Sequence, residues 1–187
     1  VSRAGDVIPQ VTKVLKELRT GKEKEFHFPT KCPVDGSSVV KKGAIYRCGN
    51  PRCGARQREF LYHFVSRGAF DIEGLGPKLI GRFLDEGLIS DAADIFTLQK
   101  GDIAALERFG EKSAENIVNE VAAKKKIQIE RFMYSLGILH VGEETARLLA
   151  QRAVSGVRYQ VSRPKDVLEI FEKMTLEDLQ NIPDVGP

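Results

Sequence analysis

Apolar residues stand four positions before a glycine at four places in this chain: Ile72, Leu106, Ile138 and Ile182. A second apolar column, Leu75, Phe109, Val141 and Val185, immediately precedes each of those glycines, Gly76, Gly110, Gly142 and Gly186. Between the columns lie one spacer and the first residue of a tight turn, so the turns read Gly74-Leu75-Gly76, Arg108-Phe109-Gly110, His140-Val141-Gly142 and Asp184-Val185-Gly186. After the first three, Pro77-Lys78-Leu79-Ile80, Glu111-Lys112-Ser113-Ala114 and Glu143-Glu144-Thr145-Ala146 have the composition of helix starts. The closing glycines are 34, 32 and 44 residues apart. The longer last interval places an insertion near Arg152 to Val161, expected as a loop or short hairpin. Two such units are expected to pack as one pseudo-symmetric pair, because one alone cannot bury its apolar face. Four repeats give two pairs.

Upstream the pattern changes. Val7 to Val14 alternates apolar and polar positions around Pro9, which suits edge strands at the end of a β-domain. The Gly5-Asp6 pair is expected to be a turn and the polar run Arg19 to Glu25 a linker. Val39-Val40 and Ala44-Ile45-Tyr46 read as short strands. From Arg56 onward the period becomes helical, with Phe60, Phe64 and Val65 on one face.

The repeated unit is the helix-hairpin-helix pattern. A helix N-terminus presents unpaired backbone N–H groups and a partial positive charge, both suited to an anionic oxygen. Glycine there permits positive φ and lets a phosphate approach the backbone closely. A valine at Gly76 or Gly110 is expected to obstruct the phosphate and resist that φ. Repeated sites of this kind suit a polyphosphate backbone, so the expected partner is nucleic acid. The expected DNA-facing set is Gly74, Gly76, Lys78, Arg108, Gly110, Lys112, His140, Gly142, Thr145 and Gly186. Lys78 and Lys112 share one place, two after the closing glycine, whereas the third repeat has Glu144 there. The plainer alternative is that each glycine only caps a helix. Lys124-Lys125-Lys126 reads as a solvated face, and Gly74-Leu75-Gly76 lacks the strand pattern and third glycine of a dinucleotide site.

Charge adds little. With 29 Lys and Arg against 26 Asp and Glu the net charge is +3, so nucleic-acid binding would depend on where the charges sit. The 42% hydrophobic content of 187 residues suffices for one or two packed cores. No run approaches membrane-spanning length and no signal peptide is visible. The absence of an initiator Met, and an end inside the fourth repeat, are those expected of a fragment.

Three cysteines cluster in Cys32-Pro33-Val34-Asp35 and Cys48-Gly49-Asn50-Pro51-Arg52-Cys53. An odd number around two tight turns is a poor disulfide framework but suits a tetrahedral metal, zinc above all. Cys32, Cys48 and Cys53 are the expected ligands. Asp35 stands where a fourth cysteine would complete the set, with His27, His63 or water as alternative fourth ligands and a metal-free turn as the remaining reading.

Taken together, Cys48 to Gln57, Phe70 to Gly76, Gly110 to Asn116 and Gly137 to Gly142 resemble bacterial NAD-dependent DNA ligase, and Arg3 to Pro9 resembles that family's OB-fold end. The resemblance covers essentially the whole chain in the family's order. It implies a mainly α fold, with tandem helix-hairpin-helix repeats preceded by a small zinc finger and a truncated OB-fold β segment. The implied domains are 1–25 (OB end and linker), 26–60 (finger) and 61–187 (helix-hairpin-helix, its fourth hairpin cut). It further implies a cytoplasmic, monomeric nick-sealing enzyme that adenylates a lysine from NAD and uses magnesium, both bound outside this chain. Its partner is nicked duplex DNA, gripped without sequence preference through phosphates and the minor groove, and no membrane is involved. The family's adenylation motif, Lys-x-Asp-Gly, occurs nowhere in the sequence, so this chain is expected to hold no catalytic residue. A repair adaptor with finger and hairpins, or a purely structural helical array, are the competing readings.

Overall fold

The alternation around Pro9 gives a short antiparallel pair: β1 (Ser2–Ala4) on β2 (Ile8–Gln10), with Ser2 opposite Gln10 and Arg3 opposite Pro9. Pro9 is tolerated because a two-stranded ribbon leaves one side of each strand unbonded. The computed structural model describes residues 2–4, 8–155 and 164–182. The Gly5-Asp6 turn expected from the sequence lies outside them. Val11, Val14, Leu15 and Leu18 follow, all exposed, around a 3-10 turn at Lys16–Leu18.

The first of two compact units, Val1–Gly49, also holds β3 (Val39–Lys42) and β4 (Ile45–Cys48). These form a hairpin in which Lys42 faces Ile45 across Gly43, whose φ of +63° is the left-handed value such a tight connection needs. Val39-Val40 and Ile45-Tyr46 are strand residues, as their β-branched and aromatic character predicts.

The second unit, Asn50–Pro187, is helical. Among the described residues its elements are α1 (Gly54–Phe64), α2 (Pro77–Asp85), α3 (Ala92–Ile95), α4 (Lys100–Ala104), α5 (Glu111–Ala123), α6 (Ile129–Ser135), α7 (Glu143–Ser155), α8 (Pro164–Glu172) and α9 (Leu176–Gln180). Local chemistry sets several ends. Pro77 starts α2 where no N–H is needed, and Asp91 with Asp94 forms a capping box at α3.

Buried side chains recur at helical spacing after the first three closing glycines: Ile80 and Phe83, Ala114 and Ile117, Ala146 and Leu149. They feed two clusters. The larger contains Leu61, Phe64, Phe70, Ile72, Ile80, Phe83 and Ile117 and serves the first two hairpins; Phe70 stacks on Phe64 at 4.3 Å and tilts against Phe96 at 5.2 Å. The smaller contains Met133, Ala146, Leu149, Val167 and Ile182, and Phe132 packs against both. Each large side chain fully buried here contributes about 1.5–3 kcal/mol.

Two expectations change. The segment 152–161 does not begin as a loop, because α7 continues to Ser155 before the described residues stop. Lys124 is not part of a solvated face: it closes α5, with its Nζ 3.3 Å from Asp71 and 3.5 Å from Glu120, so two carboxylates draw it onto the protein. Among the described residues no helix is long and apolar enough to cross a membrane.

Candidate nucleic-acid interface and metal-ligand cluster

Three of the four repeats fall wholly within the described residues, and their turns are built alike. The N–H of Leu75 donates to Ile72 C=O at 3.2 Å, that of Phe109 to Leu106 C=O at 3.0 Å, and that of Val141 to Ile138 C=O at 3.0 Å. The first residue of each turn has positive φ: Gly74 +79°, Arg108 +63°, His140 +69°. The carbonyl of each closing glycine then accepts the first helical bond, from Ile80, Ala114 and Ala146 at 3.0, 3.1 and 2.8 Å. The apolar columns recognised in the sequence therefore sit at equivalent places in one repeated turn. Gly186 and its turn lie outside the described residues.

One expectation about the glycines is overturned. Gly76 and Gly110 are N-caps with φ of −83° and −87°, and Gly142 is likewise outside the positive-φ set. The left-handed position is two residues earlier, because the turn must reverse before the helix opens. Packing makes no demand on these glycines either: a Cβ built on Gly76, Gly110 or Gly142 meets no protein atom within 4 Å. Their valine variants thus face no φ penalty.

The side chains around the three helix starts differ. Lys100 lies 3.4 Å from Glu111, and Lys112 lies 3.9 Å from Glu115. Glu144 pairs with Arg147 at 2.6 Å, and Thr145 is half-buried one position later. Arg108 and His140 are exposed at their turns. The sequence offered no hint that Arg131 would brace the third repeat. It donates from Nε to Ala69 C=O at 2.8 Å and from Nη2 to Arg67 C=O at 2.7 Å, partners more than sixty residues away in sequence. With Arg67, Gly68 and Glu143 it lines an open cleft of about 460 Å³.

Cys32, Asp35, Cys48 and Cys53 each offer one ligand atom, all within 4.8 Å of one another. The local chain explains the convergence. Cys32 N–H donates to Ser37 C=O at 2.7 Å and Gly36 N–H to Cys32 C=O at 2.9 Å, closing the first knuckle, with Gly36 at φ +72°. The second knuckle follows β4, where Gly49 N–H donates to Ser38 C=O at 2.8 Å; a Cβ there would lie 2.9 Å from that oxygen, so glycine is required. Asn50 C=O accepts from Cys53, the N-cap of α1.

The fourth corner is a carboxylate. Ser37 N–H donates to Asp35 Oδ1 at 3.0 Å and fixes the side chain, leaving the two oxygens 3.5 and 3.6 Å from Cys48 Sγ. A sulfur and an oxygen on one tetrahedral zinc ion are expected about 3.5 Å apart, from bonds of ~2.3 and ~2.0 Å. The donor set and spacing fit that ion. His63 is occupied elsewhere, with Nε2 2.7 Å from Tyr134 C=O, and neither it nor His27 joins the cluster.

Residues 68–123, which hold the first two hairpins, match the family described as SAM-like helix-hairpin-helix tandem. Over its whole length the chain is 43% identical to a DNA ligase of Desulfitobacterium hafniense and 42% identical to one of Nitrosococcus oceani. A DNA ligase of Pelotomaculum thermopropionicum is 43% identical, again across the whole chain. These stretches make up 27%, 26% and 26% of the three relatives, so the chain spans about a quarter of the curated relatives it matches. A match over the whole chain at this identity, together with the hairpin tandem and the cysteine cluster, makes the chain a fragment of a bacterial DNA ligase.

Proposed function

We propose that this segment is the part of an NAD-dependent DNA ligase that grips nicked duplex DNA, through phosphates on the minor-groove side and without reading sequence. The observation that carries the reading is the open space at Gly76, Gly110 and Gly142. Glycine recurs at three helix starts where neither φ nor packing calls for it and where Ser, Asp or Asn would cap at least as well, so capping alone does not account for it and the recurrence points outside the chain. A phosphate oxygen on the N–H groups of the first helical turn accounts for the recurrence, since a Cβ would hold it away. Gly74, Arg108 and His140 shape the turns; Lys78 and Lys112 add charge at the first two sites, and Thr145 a hydroxyl near the third. Gly186 would extend the series. A repair adaptor built from the same parts is disfavoured by the match of the whole chain, in one stretch, to about a quarter of a ligase.

In this reading Cys32, Asp35, Cys48 and Cys53 hold one structural zinc, which orders the segment between the knuckles where few apolar side chains are buried. Adenylation of a lysine by NAD, the magnesium it needs and strand sealing in the cytoplasm belong to the whole enzyme. This chain, which has no Lys-x-Asp-Gly sequence, contributes position and charge neutralisation rather than reacting groups. Domains 1–25, 26–60 and 61–187 would be the end of an OB fold, the finger and the hairpin domain of a monomer.

Duplex affinity measured by fluorescence anisotropy across a salt series tests the grip. Parent protein is expected to lose affinity steeply as salt rises. Gly110→Ala should fold, with a loss of about 0.5–1 kcal/mol at the N-cap, and should bind several-fold more weakly. A folded Gly110→Ala that binds like the parent would sink the reading.

A further inference from the structure

The first unit carries a feature that neither the hairpins nor the metal cluster uses. Phe28 lies flat on Tyr46, with centroids 3.9 Å apart and planes 6° from parallel, and Phe26 meets Phe28 edge-on at 5.0 Å. Lys41 Nζ sits 5.4 Å from the centre of the Tyr46 ring. Such a stack belongs in a core, yet Phe26 is 74% and Phe28 52% exposed. The ladder is therefore on the surface, joined across β3 and β4 by the Lys41–Tyr46 pair.

We propose that this aromatic face is a platform for an unpaired base of a single-stranded stretch of DNA, with Phe26 as the stacking surface and Lys41 among the cations that meet the backbone. The charge around it selects nucleic acid. From 22 to 49 there are six Lys and Arg against three Asp and Glu; Asp35 is turned toward the cysteine cluster, and Lys41 lies on the same face of the hairpin as its cross-strand partner Tyr46. Exposed rings beside lysines form the arrangement that holds single strands, because every base has a π face and every link a phosphate. Duplex DNA offers no free base face along its length. The platform thus adds to the hairpins a preference for interruptions where a base is unstacked. It does not rest on the hairpin reading.

The test uses the whole chain with three fluorescein-labelled probes: a thymidine single strand, a duplex with a three-nucleotide gap, and an intact duplex. Phe26→Ala should weaken single-strand and gap binding about tenfold, within the range seen when one base loses an aromatic partner, and leave the intact duplex unchanged. Phe26→Tyr should retain parental binding, whereas Phe26→Leu should behave like the alanine variant. Metal content equal to the parent shows that the finger remains folded. Equal loss on the intact duplex, no loss on the single strand, or a leucine variant as good as the parent would each overturn the proposal; the last outcome would instead mark an apolar protein-docking face. Failure of the hairpin grip would show separately, as weak intact-duplex binding by the parent.

Discussion

Arg108 holds the backbone conformation that Gly74 holds one repeat earlier, φ +63° against +79°, at the first position of the same turn. Glycine adopts it freely, but an L side chain there crowds its own carbonyl. Arg108→Gly should therefore raise stability by about 0.5–1 kcal/mol, visible as a higher urea midpoint with unchanged slope. The Arg108 side chain is exposed at the turn, and among the described residues its ion-pair partner is the adjacent Glu107, so little is lost on the protein side. If the midpoint falls, the turn is not under the strain its φ implies.

Lys78 and Lys112 occupy the same place in successive hairpins but not the same surroundings. Lys112 has Glu115 at 3.9 Å, whereas no such pair is found for Lys78 among the described residues. Each alanine variant is expected to lower the salt slope of duplex binding by roughly one ion, uniformly across sequences. The loss of affinity should be larger for Lys78, whose charge is not shared with a carboxylate. Anisotropy on two unrelated duplexes at four salt concentrations measures both quantities, and a sequence-dependent loss would contradict phosphate contact.

Elemental analysis of protein prepared without chelator should give one zinc per chain. Removing it should release amide protection between 30 and 53 while leaving α5 and α7 protected, because the finger has little buried apolar surface of its own. Asp35→Ala should weaken zinc binding by at least tenfold and Asp35→Cys should tighten it, through a softer fourth ligand. Protection that survives full metal removal would make the cluster a plain turn.

The α3 cap ties stability to acid pH. The Ser90 hydroxyl, the Ser90 N–H and the Asp91 N–H, in that order, hold the Asp94 carboxyl below its ordinary range. A carboxyl depressed in the folded state stabilises above its unfolded pKa, near 4, and that contribution is lost as pH falls through the folded value. Asp94→Asn should thus melt below the parent at pH 6, with the gap closing below about pH 4. Thermal melts from pH 3 to 7 check this, and a constant gap would assign the effect to geometry rather than charge.

Most of the architecture was legible in the sequence because it is locally encoded. The columns Ile72, Leu106, Ile138 and Leu75, Phe109, Val141 repeat at fixed offsets from a glycine, and a turn of five residues needs no distant partner to declare itself. The same holds for the knuckles, where two short segments carry the potential ligands. What only the tertiary structure decided is where each group's freedom ends. It moved the left-handed residue from the closing glycines to Gly74, Arg108 and His140, because only the path of the chain through the turn sets φ. It turned Lys124 from a solvated charge into a partner of Asp71, and Arg131 into a brace for Ala69 and Arg67, since contacts across more than fifty residues leave no periodic trace. It brought Asp35, and neither His27 nor His63, within 4.8 Å of the three cysteine sulfurs, because only the folded chain sets which potential ligand atoms come together. And it left Phe26 and Phe28 on the surface, which their hydrophobicity alone would have placed inside.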